Sequence, residues 1–518
     1  LRELARDWFP DLFKEDLPGL RGFERGLNVK DDARRMEPRD WGRRLNRPHK
    51  ERVMKIVNEW LEQGVCLEVK DPTEIKELWI NAAIPVKKTN GKDRVVLDMS
   101  EHKDLCNRVQ PKVPAVGSIS QWLREGSPEI VGTLDKRSAY YQLLLERGDR
   151  RFVGFRVGHR YFHMCRYPQG HCNAADLYQA TLEFILRGVE EVARNYVDDI
   201  LLKGRNRKKY VRGMYRTLFR LWDAGARLNQ EKCVFAADEV RALGRVFGRH
   251  GVRLDEDRIE VLQHLKIPKD QKSLKRWLGM WQWVSDHIPK FGERVAGLRD
   301  QLVKGKRVNI GDEDKREIDQ LVDILGKGRE DGGMLVNPTD GLEEVFLRPD
   351  ASKKCIGGTV LETREDMEWP VGYYGRTLRG YEKWRGITDK ELMAVVLLVM
   401  KARLLYGLGP RVVVWTDHLP LVRLLRKRAE ELTEVQRRLR YELEDMGGEV
   451  VIRYVKGDEN VVADFFSRDV KIEGEGELEE LTEDADGVKR SYDPWDEVVL
   501  QVVRGEREVK GKAKRINV

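Results

Sequence analysis

The stretch Tyr196-Val197-Asp198-Asp199-Ile200-Leu201-Leu202 decides the fold, because it places two adjacent carboxylates inside an apolar run. The apolar flanks predict a strand-turn that carries both aspartates. An isolated Asp-Asp pair usually marks a surface turn, since two like charges are costly to bury without cations. Magnesium, however, prefers hard oxygen ligands, which carboxylates held close together on rigid strands can supply. The meaning of the pair therefore depends on whether other carboxylates occupy similar positions.

A third carboxylate, Asp135, also follows an apolar strand, and it lies in the run Thr133-Leu134-Asp135-Lys136-Arg137-Ser138-Ala139-Tyr140-Tyr141-Gln142. This run resembles the LD-x-x-S-x-Y-x-Q pattern in the polymerase domain of gypsy-like (metavirus) long-terminal-repeat retrotransposons, and more distantly of retroviruses. The box that contains Asp198 and Asp199 matches the family's Y-[LMV]-D-D pattern. Residues 167–174 resemble its PFG-x-x-NAP box, with Gln169 in the place of Phe, as in retroviruses. The three boxes agree in order and spacing.

The resemblance implies a role for each of these residues. Asp135, Asp198 and Asp199 would hold two divalent metal ions. The Tyr140 ring would block a ribose 2′-hydroxyl. The remaining implied nucleotide contacts are Gln169 in the nucleotide pocket, Arg94 and either Lys87 or Lys88 on the triphosphate, and the backbone amides of Ser138 and Ala139 on phosphates. Leu243-Gly244 resembles a primer grip, whereas Asp98-Met99-Ser100-Glu101 departs from the family's D-[YF]-R-x-L-N pattern.

Four further carboxylates are spread over an α/β pattern that begins at Glu344. Asp350 lies within a predicted strand, Glu391 in the first turn of a helix predicted over 389–408, Asp417 at the end of a β-branched strand, and Asp464 at the start of a last helix. Their flanks resemble the TDAS, T-x-KEL-x-A, TDH-x-PL and N-x-VAD-x-x-SR boxes of the same family's ribonuclease H. The resemblance implies that these four residues hold metals and are catalytic. For His418 a structural or substrate-side contact is favoured over a catalytic role.

The resemblance implies an α/β multidomain chain: a right-hand polymerase with fingers, palm and thumb, a connection, and a ribonuclease H-like α/β domain. Its segments are an N-terminal extension (1–45), fingers and palm (46–248), thumb and connection (249–340), ribonuclease H (341–470) and an acidic-then-basic tail (471–518) that reads as a linker or weakly ordered arm.

Composition limits the class of protein without identifying it. The 518 residues exceed one ordinary core, and the net charge of +8 is only mildly suggestive of a polyanionic partner. The six cysteines include no C-x-x-C pair, so neither a zinc site nor a disulfide framework is predicted, and a reducing compartment fits. No apolar run is long enough to predict a membrane span.

The resemblance implies a reverse transcriptase with ribonuclease H activity. Its cofactor would be Mg²⁺, with Mn²⁺ as the alternative. Its partners would be an RNA template, a DNA primer, deoxynucleoside triphosphates and the RNA/DNA hybrid, with a homodimer left open. Residues 272–306, which are basic and rich in Trp, would follow the hybrid backbone. The implied location is intracellular, in a cytoplasmic particle or the nucleus.

Two other functions remain open. A domesticated retroelement protein would keep the fold and bind nucleic acid or a partner without synthesis, but the intact carboxylates count against it. An RNA-dependent RNA polymerase is disfavoured by Tyr140 at the implied sugar gate and by the ribonuclease boxes that follow.

Overall fold

The computed structural model describes residues 1–87, 93–302, 307–327, 334–365 and 367–455, together with the backbone of strand 497–501. The chain divides into two compact units. The N-terminal unit comprises residues 1–123, 128–243 and 247–249, and the C-terminal unit comprises 124–127, 244–246 and the chain from 250 onward. Within the part of the chain that is described, no helix is both long and apolar enough to cross a membrane.

The helices of the N-terminal unit alternate with its strands. They are α1 (Arg2–Trp8), α2 (Asp31–Arg34), α3 (Arg47–Glu62), α4 (Pro72–Glu77), α5 (His102–Leu105), α6 (Val116–Arg124), α7 (Ala174–Ile185) and α8 (Arg207–Asp223). Helix α3 shows why such segments form. The Asn46 side chain caps its first turn by accepting from the His49 amide, and Val53, Val57 and Trp60 are buried along one face.

The strands of the N-terminal unit build two main sheets. They are β1 (Glu24–Arg25), β2 (Cys66–Val69), β3 (Ile80–Lys87), β4 (Asp93–Asp98), β5 (Ile130–Asp135), β6 (Leu144–Leu145), β7 (Gly154–Val157), β8 (Arg160–Met164), β9 (Ala193–Tyr196), β10 (Asp199–Gly204), β11 (Val234–Ala237) and β12 (Glu239–Ala242). One sheet has the order β2-β8-β7-β3-β4 and the other β11-β5-β10-β9. The second sheet carries all three aspartates of the first motif set, because β10 pairs antiparallel with both β5 and β9.

The N-terminal extension is more ordered than its charge-rich composition suggested. Residues 2–8 and 31–34 are helical, and Ala5, Leu12 and Leu20 are fully buried in the core of the N-terminal unit. Single apolar residues separated by charged ones fill gaps in a core that other segments build. Local periodicity therefore did not reveal their burial.

The C-terminal unit begins with helices that have their own apolar core. Strand β13 (Arg245–Gly248) crosses the division between the units, and it is followed by β14 (Gly251–Leu254), α9 (Glu256–Gln263), α10 (Gln271–Gln282), α11 (Phe291–Arg294), α12 (Ala296–Asp300), α13 (Asp312–Lys327) and β15 (Leu335–Val336). Trp277 and Trp281 are buried in this core. These two rings therefore belong to the core, and the contact of this segment with the hybrid backbone stays a prediction about its basic residues. Exposed basic residues of α10 include Lys272, Lys275 and Arg276.

A six-stranded sheet follows, in the order β18-β17-β16-β19-β20-β21. Its elements are β16 (Glu344–Ala351), β17 (Cys355–Arg364), β18 (Met367–Thr377), α14 (Ile387–Tyr406), β19 (Arg411–Thr416), α15 (Leu419–Leu425), α16 (Glu434–Asp445), β20 (Glu449–Tyr454) and β21 (Glu497–Gln501). Strands β16, β19 and β20 are parallel to one another, and the remaining pairs are antiparallel. The predicted tail thus contributes a strand, β21, to the sheet edge.

Candidate active sites

The three aspartates of the N-terminal unit meet at one end of the four-stranded sheet. Asp135 ends β5 and Asp199 begins β10, and the two are direct partners in the antiparallel register. Asp198 lies in the tight turn between β9 and β10 and is exposed. Since directly opposed residues have Cβ atoms about 5 Å apart, the turn gathers three carboxylates around one point.

The turn itself has a strained backbone that buried side chains hold in place. Val197, directly before Asp198, has a φ of 49°, which is unfavourable for a β-branched residue. Its N–H donates to Gln179 Oε1 at 3.0 Å, and its carbonyl accepts from Lys136 Nζ at 2.8 Å. Asn195 links the two clamping groups, because its amide donates to Gln179 Oε1 and its oxygen accepts from Lys136 Nζ. The peptide that positions Asp198 is therefore fixed on both sides.

Burial and repulsion between carboxylates make Asp135 and Asp199 unfavourable as bare anions. Burial raises the pKa of Asp135, with an opposing effect from Lys232, whose Nζ lies 4.0 Å from Asp135 Oδ2. Burial also raises the pKa of Asp199, which Lys136 lowers and Asp135 raises again. The pKa of Lys136 is lowered to about 7 by its own burial, although the three aspartates oppose that shift. A divalent cation at this point would relieve the repulsion.

We expect Lys136→Met to reduce the rate of primer extension. Methionine fills a similar volume but leaves the Val197 carbonyl without its donor, so the turn loses one of its two fixed points. We expect kcat to fall about 10- to 100-fold, as for a catalytic group displaced by about 1 Å. Steady-state extension kinetics measure this effect, with the exposed Lys209→Met on α8 as the matched control. Native kcat in Lys136→Met would contradict the positioning role.

The residues implied to bind the nucleotide fall into two groups. Tyr140 lies on a 3₁₀ turn after Asp135; burial raises its pKa to about 12, with a further contribution from Asp198. Ser138 and Ala139 begin the same turn, and Ser138 has a φ of 48°. Gln169 lies in the loop after β8 and is partly exposed. The structure thus brings Tyr140, Ser138 and Ala139 next to the aspartates along one short segment.

The implied triphosphate contacts lie on another sheet. Arg94 and Lys87 belong to the β3–β4 hairpin, where Lys87 pairs with Asp93 in register, and Arg94 is exposed. Lys88, the alternative to Lys87, lies outside the described residues. Leu243 and Gly244 both have positive φ values, of 53° and 67°, which is consistent with a tight turn at the implied primer grip.

The carboxylates of the C-terminal unit converge in the same way from different elements. Leu347 of β16 and Val414 of β19 are register partners in parallel strands, and Asp350 and Asp417 each lie three residues further on. Both carboxylates therefore emerge at the carboxyl end of the sheet. Helix α14 packs on β16 and begins at Ile387, two residues earlier than predicted, so that Glu391 lies in its second turn. Asp464 lies outside the described residues.

The Glu391 carboxyl has a strongly raised pKa. It is buried, and burial raises its pKa to about 8, with added repulsion from Asp350 and Asp417. Lys290 Nζ lies 3.4 Å from Asp350 Oδ2, so a lysine accompanies the acids here as well. His418 Nε2 is 2.9 Å from Thr388 Oγ1, which is consistent with the structural role favoured for this histidine.

The raised pKa of Glu391 predicts a pH dependence of stability in metal-free protein. Between its ordinary pKa of 4.5 and about 8, the folded state keeps a proton that the unfolded state releases. The contribution of Glu391 to folding stability is therefore fully present below pH 4.5 and is lost as the pH rises to 8. In EDTA we compare the free energy of unfolding of Glu391→Gln with that of the native chain by denaturant titration. We expect the difference to shift in favour of the variant by more than about 1 kcal/mol between pH 5 and pH 8. A constant difference across that range would contradict the prediction.

Comparison with known proteins identifies the domains in which the two candidate sites lie. Residues 86–247 match the family described as "Reverse transcriptase (RNA-dependent DNA polymerase)", and residues 340–445 match the family described as "RNase H-like domain found in reverse transcriptase". The chain carries a reverse transcriptase domain and an RNase H-like domain. The reverse transcriptase domain contains Asp135, Asp198 and Asp199. The RNase H-like domain contains Asp350, Glu391 and Asp417.

The chain is also similar to retrotransposon proteins along most of its length. It is 26% identical over 418 residues to the Transposon Tf2-3 and Tf2-7 polyproteins of Schizosaccharomyces pombe. The match covers 80% of this chain but only 30% of each polyprotein, so the chain spans less than a third of the relatives' length. The resemblance to retrotransposon polyproteins inferred from the motifs is confirmed.

Solved structures show the same fold. The foamy viral protease-reverse transcriptase in two complexes with double-stranded DNA matches with TM-scores of 0.70 and 0.68 at 18% sequence identity. Each match covers 88% of this chain, and they cover 78% and 92% of those chains. The predicted α/β multidomain fold with reverse transcriptase and RNase H-like domains is thereby confirmed.

Three lysines near the carboxylates were not predicted as part of either site. Lys136 follows Asp135 directly, and an alternating strand pattern would place its side chain on the opposite face. Lys232 and Lys290 reach their aspartates from elements that carry no recognisable motif.

Proposed function

We propose that this chain is the reverse transcriptase and ribonuclease H part of a longer retrotransposon polyprotein. It copies an RNA or DNA template into DNA from deoxynucleoside triphosphates and then degrades the RNA strand of the hybrid. One observation carries the proposal: each domain gathers at least three carboxylates at the end of a sheet, as two-metal phosphoryl transfer requires.

The donor set of the reverse transcriptase domain fits magnesium. It consists of carboxylate oxygens only, which are the ligands magnesium prefers, and Asp135 and Asp199 are destabilised as anions without a cation. Asp135, Asp198 and Asp199 would hold the ions. When bound, they supply Lewis acidity at the attacking hydroxyl and at the leaving pyrophosphate. Manganese, with similar oxygen preference, is the alternative ion.

The other residues of this domain select and position the nucleotide. The Tyr140 ring would block a ribose 2′-hydroxyl, so that deoxynucleotides would be the substrate. Arg94 and Lys87 offer cations to the triphosphate, and the amides of Ser138 and Ala139 offer donors to its oxygens. Gln169 contacts the base or sugar from the loop after β8.

The RNase H-like domain hydrolyses the RNA strand with a second carboxylate set. Asp350, Glu391 and Asp417, together with Asp464, would hold its two ions. Because burial raises its pKa to about 8, Glu391 would have to lose a proton in order to hold an ion at neutral pH.

The nucleic-acid partners follow from the same proposal. The template, primer and hybrid would lie along basic surfaces such as the exposed Lys272, Lys275 and Arg276 of α10. The foamy viral relative was solved with double-stranded DNA and with an RNA/DNA hybrid. The proposal also includes an intracellular location, in a cytoplasmic particle or the nucleus, and leaves a homodimer open.

Primer extension on poly(rA)/oligo(dT) with magnesium tests the polymerase, with dTTP compared against UTP. The same purified chain is then given a 5′-labelled RNA/DNA hybrid. We expect dTTP-dependent extension, poor use of UTP and cleavage of the RNA strand. Binding of the hybrid without either reaction would favour the domesticated, non-catalytic alternative.

A further inference from the structure

One aromatic side chain of the RNase H-like domain is almost completely exposed. Trp384 has 90% of its surface accessible, and the neighbouring Tyr381 has 59%. Both belong to the short turn between β18 and α14, residues 381–385, which we call the Trp384 turn. Exposing an indole forgoes the stabilisation that its burial would give. Such a side chain is therefore a candidate for contact with a partner.

Hydrogen bonds to buried side chains hold the Trp384 turn in place, so that the exposed ring stands on a well-supported backbone. Glu382 is buried, and its carboxylate accepts two hydrogen bonds from Arg376, at 2.7 and 2.9 Å. It accepts a third from the Arg379 amide at 2.7 Å. The buried Lys390 of α14 donates to the Lys383 carbonyl at 3.0 Å. A rigid support that holds an aromatic ring in solvent is a feature of prepared binding surfaces.

The charge around the ring favours a polyanion. Arg379 and Lys383 are exposed, and the Arg385 guanidinium lies 5.8 Å from the centre of the Tyr381 ring. The one acid of the turn, Glu382, is neutralised by Arg376. Lys383 Nζ also lies 3.6 Å from Asp300 Oδ1, so part of its charge is paired within the protein. Arg379 and Arg385 are therefore the preferred phosphate contacts of the turn. Aromatic rings beside basic groups are the usual platform for nucleic-acid strands.

The turn is also close to the candidate cleavage site along the chain. Ile387, where α14 begins, is three positions after Trp384, and Glu391 lies four positions further into the helix. Three extended residues and four helical residues span at most about 17 Å. At about 3.4 Å per nucleotide, that distance corresponds to about five nucleotides of a bound strand.

We propose that the Trp384 turn binds the RNA/DNA hybrid within about five nucleotides of the bond that the RNase H-like domain cuts. Trp384 packs on a sugar or base, and Arg379 and Arg385 contact phosphates. This inference rests on the proposed ribonuclease H function, because the occupant is its substrate. A second copy of the chain or another protein on the same ring is the competing occupant.

Cross-linking tests the contact independently of cleavage. Trp384→p-benzoylphenylalanine is irradiated in the full chain with a labelled hybrid, and Tyr441→p-benzoylphenylalanine on α16, at a side chain 58% exposed, is the matched control. We expect a cross-link to the hybrid from position 384 alone, within about five nucleotides of the cleavage position. Equal or absent cross-linking overturns the inference. If the native chain cleaves no hybrid, the proposed function fails, and the cross-link still reports whether the strand lies on the turn.

Kinetics separate a substrate contact from a structural role. We expect Trp384→Ala to raise the KM for hybrid cleavage about tenfold, the effect of losing one stacked aromatic, with kcat within about twofold. Trp384→Phe should restore most of the affinity, and Tyr441→Ala should behave like the native chain. An unchanged KM overturns the inference, as does a change of oligomeric state in Trp384→Ala measured by sedimentation, which would assign the ring to a protein contact.

Discussion

Asp198→Asn is expected to abolish primer extension, lowering its rate by at least about 1,000-fold. Asparagine keeps the shape of the side chain but offers a neutral oxygen, and loss of an ion-holding carboxylate removes several kcal/mol of charge stabilisation from the transition state. The measurement is incorporation of labelled dTTP on poly(rA)/oligo(dT) at saturating magnesium.

The matched control is Asp223→Asn, which changes an exposed carboxylate at the end of α8 in the same unit. It should extend primers at the native rate, and both variants should cleave the hybrid normally. Equal extension by Asp198→Asn and the native chain would refute the assignment of the Tyr196–Asp199 turn as the polymerase site.

Asp350→Asn is expected to abolish hybrid cleavage to a similar extent while primer extension continues. Asp350 and Asp417 leave neighbouring parallel strands at the same edge, and Glu391 faces both, so loss of one carboxylate disrupts the whole set. The effect is measured as the release of labelled fragments from a hybrid, and we expect the cleavage rate to fall by at least about 1,000-fold.

Asp445→Asn, at the exposed end of α16, is the control within this domain. Asp198→Asn should lose primer extension and keep hybrid cleavage, whereas Asp350→Asn should lose hybrid cleavage and keep primer extension. Loss of both reactions in Asp350→Asn would instead indicate that the substitution unfolds the chain or that one site serves both reactions.

The carboxylates were predictable from the resemblance of their flanking residues to family motifs, and their places beside apolar strands or helices agreed with it. Asp135, Asp198, Asp350 and Asp417 all stand at points where a regular hydrophobic pattern stops, and a sheet brings such points together. The fold class followed from the same alternation of strands and helices.

What surrounds the carboxylates was not predictable in the same way. The clamp on Val197 joins Lys136 to a residue 61 positions later, and no local pattern announces that contact. Trp277 and Trp281 are buried in an apolar core that is built together with other helices, and the basic character of their segment did not announce that packing. The order of the N-terminal 45 residues likewise depends on a core assembled elsewhere.

The clamped peptide at Val197 also bears on how the polymerase site matures. Both of its hydrogen-bonding groups are satisfied by side chains of the protein itself, through Gln179 and Lys136. The shape of the turn is thus complete before any ion arrives. Newly made chains should fold in magnesium-poor surroundings and become competent upon later exposure to the ion, so that ion loading is a reversible last step rather than a condition of folding.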